Sequence, residues 1–362
     1  MATHNILLAP GDGIGPEVVG QTRRVLEAVG ERFGHEFAFE SALVGAAAIA
    51  AEGIEITDEV VDRARSCDAV LLGACGVAGG AAINGRHPER AVLRLRTELA
   101  LWTNIRPVQI FEPIIDSSPI KPEILRGVDM VVLRELTGGV YYAEPRGRLT
   151  VDGEPAARDT MLYRRSEVER IGHRAFQMAR RRRGKVTSVD KQNVLESSAY
   201  WHEVMTEVAA QYPDVEMDQI LVDAFAMRLI LSPRDFDVVV TTNMFGDIIT
   251  DEMAVLSASL GMMPSASLGD SSRGLYEPIH GAAPDIAGQG LANPIGAILS
   301  AAMMLRLSFD LETEAQAIED AVSAALDAGY RTADIKEAGS SHVGTSDMGE
   351  AIIARIGVPA AA

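Results

Sequence analysis

Cysteine is nearly absent: the 362 residues hold two, Cys67 and Cys75, in no metal-ligand spacing. A disulfide framework and a thiolate zinc site are therefore excluded, and the pair reads as small packed hydrophobes in a reducing compartment. Aromatic residues are sparse at 5%. Positive charge is in deficit, 33 Lys and Arg against 51 Asp and Glu for a net charge of −18, which argues against a surface built for nucleic acid or anionic membrane. No run approaches the ~20 apolar residues that a membrane span needs. The opening "MATHNILLAPGDGIG" carries too short an apolar run and no basic leader for a signal peptide, so a cytoplasmic location is expected. Repeats and low-complexity linkers are missing too, so any domain boundary is crossed by continuous structure.

What is present is ordinary globular material, 47% hydrophobic and 23% charged, with length enough for two domains or one large one. "NILLAPG" and "DAVLLGA" read as buried strands, and "EVVGQTRRVLEAVGERFG" between them has helical spacing and stops at a glycine. "GVDMVVLREL", "KVTSVDK" and "FDVVVTTN" continue an α/β pattern, while "NPIGAILSAAMMLRLSF" and "EAQAIEDAVSAALDAG" read as helices. "GVYYAEPRGRLTVDGEPAARDTMLYRRS" reads as an antiparallel arm. The arginine run at 180–183 closes a helical segment, where cations complement the helix dipole.

Chemistry concentrates in a few stretches. "APGDGIGPE" follows a strand with a glycine turn, but counting from Gly11 or Gly13 the third glycine of a dinucleotide fingerprint falls on Pro16 or Val18. Arg96, Arg106 and Arg134 offer planar forks suited to a di- or tricarboxylic acid. Tyr141 just past one strand, and Lys191 beside Asn193 just past another, form a candidate proton-transfer pair. In "NMFGDIITDEMA" two aspartates stand four apart, on one helix face, where they repel. They are solvated surface groups, or Asp247 caps the helix, or a cation lies between them; with Asp223 they make three oxygen donors that favour Mg²⁺ or Mn²⁺ over zinc. "EPIHGAAPDIAGQGLANP" reads as a long cofactor-type loop in which Asp285 would accept from ribose hydroxyls and repel a 2′-phosphate, favouring NAD.

Taken together, "GDGIGPE", "LR" ahead of "NIRP", "RELTGGVYY", "VDKQNVL", "FDVVVTTNMFGDIITDE" and "YEPIHGAAPDIAGQGLANP", in this order, resemble the metal-dependent β-decarboxylating dehydrogenases that act on isopropylmalate, isocitrate, homoisocitrate, tartrate and D-malate. The resemblance implies an α/β, two-domain fold with a large mixed non-Rossmann sheet. Residues 1–101 plus 258–362 would bind the cofactor; 102–257 would hold substrate, metal and the dimer contact, with an arm near 140–165. It implies Tyr141, Lys191 and Asp223 as catalytic, Asp223, Asp247 and Asp251 as ligands of Mg²⁺ or Mn²⁺, and Arg96, Arg106, Arg134 and Asn193 as substrate-binding. Ile14, Glu277, His280, Gly281, Ala283, Asp285, Ile286 and Asn293 fall at NAD-contacting positions. A homodimer with shared active sites follows, Lys191 and Asp223 reaching into the neighbouring subunit's site.

The expected reaction is NAD-dependent oxidative decarboxylation of a 3-substituted (2R,3S)-malate, with Glu89, Val92 and Leu93 facing an apolar branch such as that of 3-isopropylmalate. "GVAGGAAINGRH" departs from the family's usual segment, which keeps homoisocitrate, tartrate, D-malate or another malate analogue as alternatives; Arg86 or Arg90 would favour a charged branch. The rival of another class is a catalytically silent homologue serving in interaction or regulation.

Overall fold

The computed structural model describes residues 3–337 and 342–357. Its strands, in chain order, are β1 (Thr3–Gly11), β2 (Glu36–Ser41), β3 (Ala69–Ala74), β4 (Thr103–Val108), β5 (Met130–Glu135), β6 (Gly147–Val151), β7 (Glu154–Arg158), β8 (Lys185–Asp190), β9 (Glu216–Leu221), β10 (Val238–Thr241), β11 (Pro264–Leu268) and β12 (Gly274–Pro278). Two compact units emerge: Met1–Leu101, Gln109–Arg126 and Ala254–Ala362 in the first, Trp102–Val108 and Gly127–Met253 in the second.

In the first unit the sheet order is β2-β1-β3-β12-β11, parallel except for the antiparallel β11–β12 pair. β3 is buried at every residue, as a strand covered on both faces must be. The helix Ile295–Ser308 packs on β11 and β12 and is buried without a break from 295 to 305, which explains its apolar residues on every side. The helix Gly15–Phe33 packs on β1 and β3 and ends at Gly34, whose φ of +79° supplies the left-handed cap.

The second unit orders its strands β4-β5-β10-β8-β9, with β4–β5 antiparallel and the rest parallel. Neither order, with its antiparallel pair, is the all-parallel doubly wound arrangement. The helices Arg165–Ala179 and Glu196–Ala209 pack on this sheet and on each other. The arm expected from turn-rich sequence is the antiparallel hairpin β6–β7. Arg180 pairs with Asp214, Arg182 with Asp129 and the buried Asp237, and Arg183 with the Asp237 carboxylate through its backbone N–H. Three of the four arginines of the run are thus absorbed by the fold, and Arg181 is exposed.

Candidate active site

In the second unit, antiparallel pairing sets Asn104 of β4 opposite Arg134 of β5. Arg106, two residues along, shares their face because side chains alternate along a strand. Both arginines are buried. Over them lies the helix Asn243–Met253, packed on β5 and β10. It begins at Asn243, so Asp247 sits one turn inside and is not the cap; Asp251 follows one turn later. Arg134 donates from Nε to Asn243 Oδ1 at 3.0 Å and from Nη1 to Asp247 Oδ1, while its guanidinium lies over the Tyr141 ring. The Arg106 guanidinium stands 3.9 Å from Asp247 and 3.8 Å from Asp251, and is held by Asn104 and Thr250.

Tyr141, in a short 3-10 turn just beyond β5, donates its phenol to Asp247 Oδ2 at 2.7 Å. Burial pushes the Asp251 carboxyl up, with Arg106 pulling it down and Asp247 pushing it up again. Repulsion between the two aspartates is therefore offset here by two buried guanidinium groups.

Lys191 follows the end of β8 and donates to Asp223 Oδ1 at 2.7 Å; that hydrogen bond holds the exposed Asp223 carboxyl below the usual carboxylate range. Asn193 beside it is exposed. Among the described residues no group of three His, Cys, Asp or Glu side chains is drawn together to hold a metal. One chain thus brings Asp247 and Asp251 together without Asp223. Their donor set is all hard carboxylate oxygen, which suits Mg²⁺ or Mn²⁺.

The first unit carries the rest. On the helix Arg90–Glu98 and its preceding residue, Glu89, Val92, Leu93 and Arg96 recur at 0, 3, 4 and 7, one face of a helix. Arg96 donates from Nη2 to Glu277 Oε1 at 2.8 Å, both groups buried. Glu277 was expected to open a loop; it lies in β12 instead, because the apolar register of "GLYEP" extends the strand to Pro278. Val92 packs partly into the core around Leu95 and Leu72. Arg86 pairs with Glu55 at 2.9 Å.

A cavity of about 440 Å³ is lined by Ile14, His280, Gly281, Ala283, Ile286 and Asn293, within the size range of ligand pockets. Two expected cofactor residues, Glu277 and Asp285, do not line it, and Asp285 is exposed. The glycines of "GDGIG" earn their place by backbone approach: a Cβ on Gly13 would sit 1.9 Å from the Ala282 carbonyl oxygen. Ile14 N–H then donates to that carbonyl at 2.9 Å, which sets Ile14 at the cavity. His280 is nine-tenths buried, burial holds its pKa low, and Nδ1 bonds the Gly281 carbonyl. Its Nε2 is buried without a partner, an acceptor position on a largely apolar wall.

Four residues escaped the sequence reading. Asp12 accepts the N–H groups of Ala46, Ala47 and Gly76, and Glu17 those of Gly288 and Gly290. Both lie in "GDGIGPE", whose acids were the available signal. Ser259 and Asp334 line the cavity, and Ser259 Oγ and Asn293 Nδ2 both donate to Asp334 Oδ2.

Comparison with known proteins then supplies relatives. Residues 5–352 match the family model described as isocitrate/isopropylmalate dehydrogenase. The 3-isopropylmalate dehydrogenase of Geobacillus kaustophilus is 54% identical over 354 residues, covering 97% of this chain and 95% of that one. Isocitrate dehydrogenase from Methylococcus capsulatus superposes with a TM-score of 0.87 at 37% identity, covering 98% and 99% of the two chains. A β-decarboxylating dehydrogenase from Thermococcus kodakarensis gives 0.78 at 33%, covering 98% and 96%.

Proposed function

Since the chain belongs to the isocitrate/isopropylmalate dehydrogenase family, we propose that it oxidises and decarboxylates 3-isopropylmalate to 4-methyl-2-oxopentanoate, using NAD and Mg²⁺ or Mn²⁺, in leucine biosynthesis. The observation that carries the reading is the cluster of Arg106, Arg134, Tyr141 and Asp247 beside Asp251. It combines charge-assisted donors for a dicarboxylic acid, a phenol hydrogen-bonded to a carboxylate, and two hard oxygen ligands on one helix face.

Asp247 and Asp251 would hold the cation, and the cavity wall of Ile14, His280, Ala283, Ile286 and Asn293 would hold the adenosine end of NAD, Asp285 meeting the ribose from the rim. Bound there, nicotinamide would supply a hydride acceptor and the cation would supply Lewis acidity. Arg96, Arg106 and Arg134 bind and orient the substrate carboxylates. Lys191, with Asp223 as relay, takes the C2 hydroxyl proton as the hydride leaves. Once CO₂ departs from the 2-oxo acid, Tyr141 delivers a proton to C3.

Asp223 completes the metal site, in this reading, from a second copy of the chain. Support comes from the exposed apolar side chains of Met227 and Leu231, one helical turn apart beside Asp223, and of Ile248 between the two metal aspartates. Pairing copies through that surface gives a homodimer with shared sites. The apolar branch is favoured by Val92 and Leu93, which share the helix face of Arg96.

The test is the initial rate of NADH formation with Mg²⁺ or Mn²⁺ on 3-isopropylmalate, isocitrate, homoisocitrate, D-malate and tartrate at equal concentration. At least a tenfold preference for 3-isopropylmalate in kcat/KM is expected, since one or more methylenes in an apolar pocket are worth ~1–3 kcal/mol each. Preference for another acid would move the substrate assignment to residues 76–93 for revision.

A further inference from the structure

Beneath Lys191 lies a buried carboxylate that the chemistry above does not use. Asp190, the last residue of β8, is fully buried, and its Oδ1 accepts the Gln192 N–H at 3.0 Å, so that it spans Lys191. The Lys191 carbonyl in turn accepts the N–H groups of Val194 and Leu195 at 3.1 and 3.0 Å. Residues 190–195 thus form one closed turn whose product is the direction of the Lys191 side chain toward Asp223.

The second oxygen, Oδ2, is buried without a hydrogen bond. Facing it at 3.5 Å is His202 Nδ1, on the helix Glu196–Ala209, itself buried without a hydrogen bond. A buried carboxylate oxygen lacking a donor is costly, and an imidazole N–H is the complementary group. Burial also pushes the Asp190 carboxyl up, which a donor at Oδ2 opposes. A shift of about half an ångström brings the pair to hydrogen-bond distance.

We infer that His202 is a positioning residue for Lys191: its Nδ1–H donates to Asp190 Oδ2, and the fixed carboxylate locks the 190–195 turn that aims the lysine. This rests on the role assigned to Lys191 under the proposed function. His202 touches neither substrate nor cofactor in that reading, so it acts on kcat and leaves binding alone.

The experiment compares His202→Leu, which removes the donor, with His202→Asn, whose amide nitrogen stands where Nδ1 does. His202→Leu is expected to lower kcat about tenfold with KM for acid and NAD within error of the parent, and to lower the thermal midpoint because it leaves Oδ2 buried without a donor; His202→Asn is expected to recover most of both. Unchanged kcat in His202→Leu, or a fall shared by KM and thermal midpoint that Asn does not reverse, overturns the inference. Amide hydrogen exchange at Gln192, Val194 and Leu195 reads the turn without turnover. Faster exchange in His202→Leu than in the parent or His202→Asn supports the lock, and equal exchange overturns it. Should the parent oxidise none of the five acids, the proposed function fails while the exchange result still decides the lock.

Discussion

Adding one methyl group at Gly246 separates helix propensity from the geometry of the arginine site. On propensity alone, alanine in the middle of Asn243–Met253 would stabilise by ~1 kcal/mol. Space opposes it: a Cβ at 246 would stand 2.7 Å from Arg134 Cγ, 2.8 Å from its Cβ and 3.1 Å from its Cδ. These atoms lie near the β5 backbone, and Arg134 is only 2% exposed, so neither partner yields cheaply. Overpacking of this kind costs ~1–3 kcal/mol. Gly246→Ala should therefore be neutral to destabilising, by up to ~2 kcal/mol after the propensity gain. The larger effect falls on activity, because Arg134 carries Asn243 at one nitrogen and Asp247 at another. Displacing such a group by about an ångström costs on the order of 10²-fold. Urea unfolding and initial rates of NADH formation measure the two effects. A variant stabilised by ~1 kcal/mol with unchanged kcat/KM would refute the packing argument.

Other perturbations address the remaining assignments. Asp247→Asn removes a carboxylate shared by Tyr141, Arg134 and the proposed cation, and should abolish Mn²⁺ activation; a parental activation curve would end the metal assignment. Tyr141→Phe should slow decarboxylation of the 2-oxo acid more than hydride transfer, measured as separate partial reactions, and equal losses would count against the phenol as proton donor. Asp285→Lys, at an exposed position, should shift the NAD to NADP ratio of kcat/KM toward NADP at least tenfold, and an unchanged ratio would remove Asp285 from cofactor choice. Arg182→Ala leaves Asp237, 1% exposed, with backbone donors but no cation, and should cost about 3 kcal/mol in urea unfolding. No loss there would mean the arginine run is not structural.

The buried strands were legible because "NILLAPG", "DAVLLGA" and "FDVVVTTN" are short apolar runs bounded by turn residues, and β1, β3 and β10 lie on them. Helix 295–308 was legible for a different reason: apolar on every side, it had to be enclosed. The aspartate pair showed itself through its spacing, two like charges four residues apart on one helix face. What stayed hidden depends on separation along the chain. Arg96 meets a glutamate 181 residues away, and no periodicity in either segment announces that pairing. Glu277 was misplaced because Glu-Pro ahead of a glycine-rich stretch resembles a loop entry, while its neighbours in β12 hold it in strand pairing with β11. Asp12 and Glu17 tie distant loops to the glycine turn through backbone N–H groups dozens to hundreds of residues away, which their own motif does not announce.

The most direct test of the whole account is the ratio of CO₂ released to NADH formed when the purified protein turns over 3-isopropylmalate with Mn²⁺. A ratio of about one, with both products lost on chelation of the metal, is what a coupled oxidation and decarboxylation requires. NADH without CO₂, or turnover indifferent to the chelator, would contradict the assignment of Tyr141, Asp247 and Asp251 to a single metal-dependent reaction.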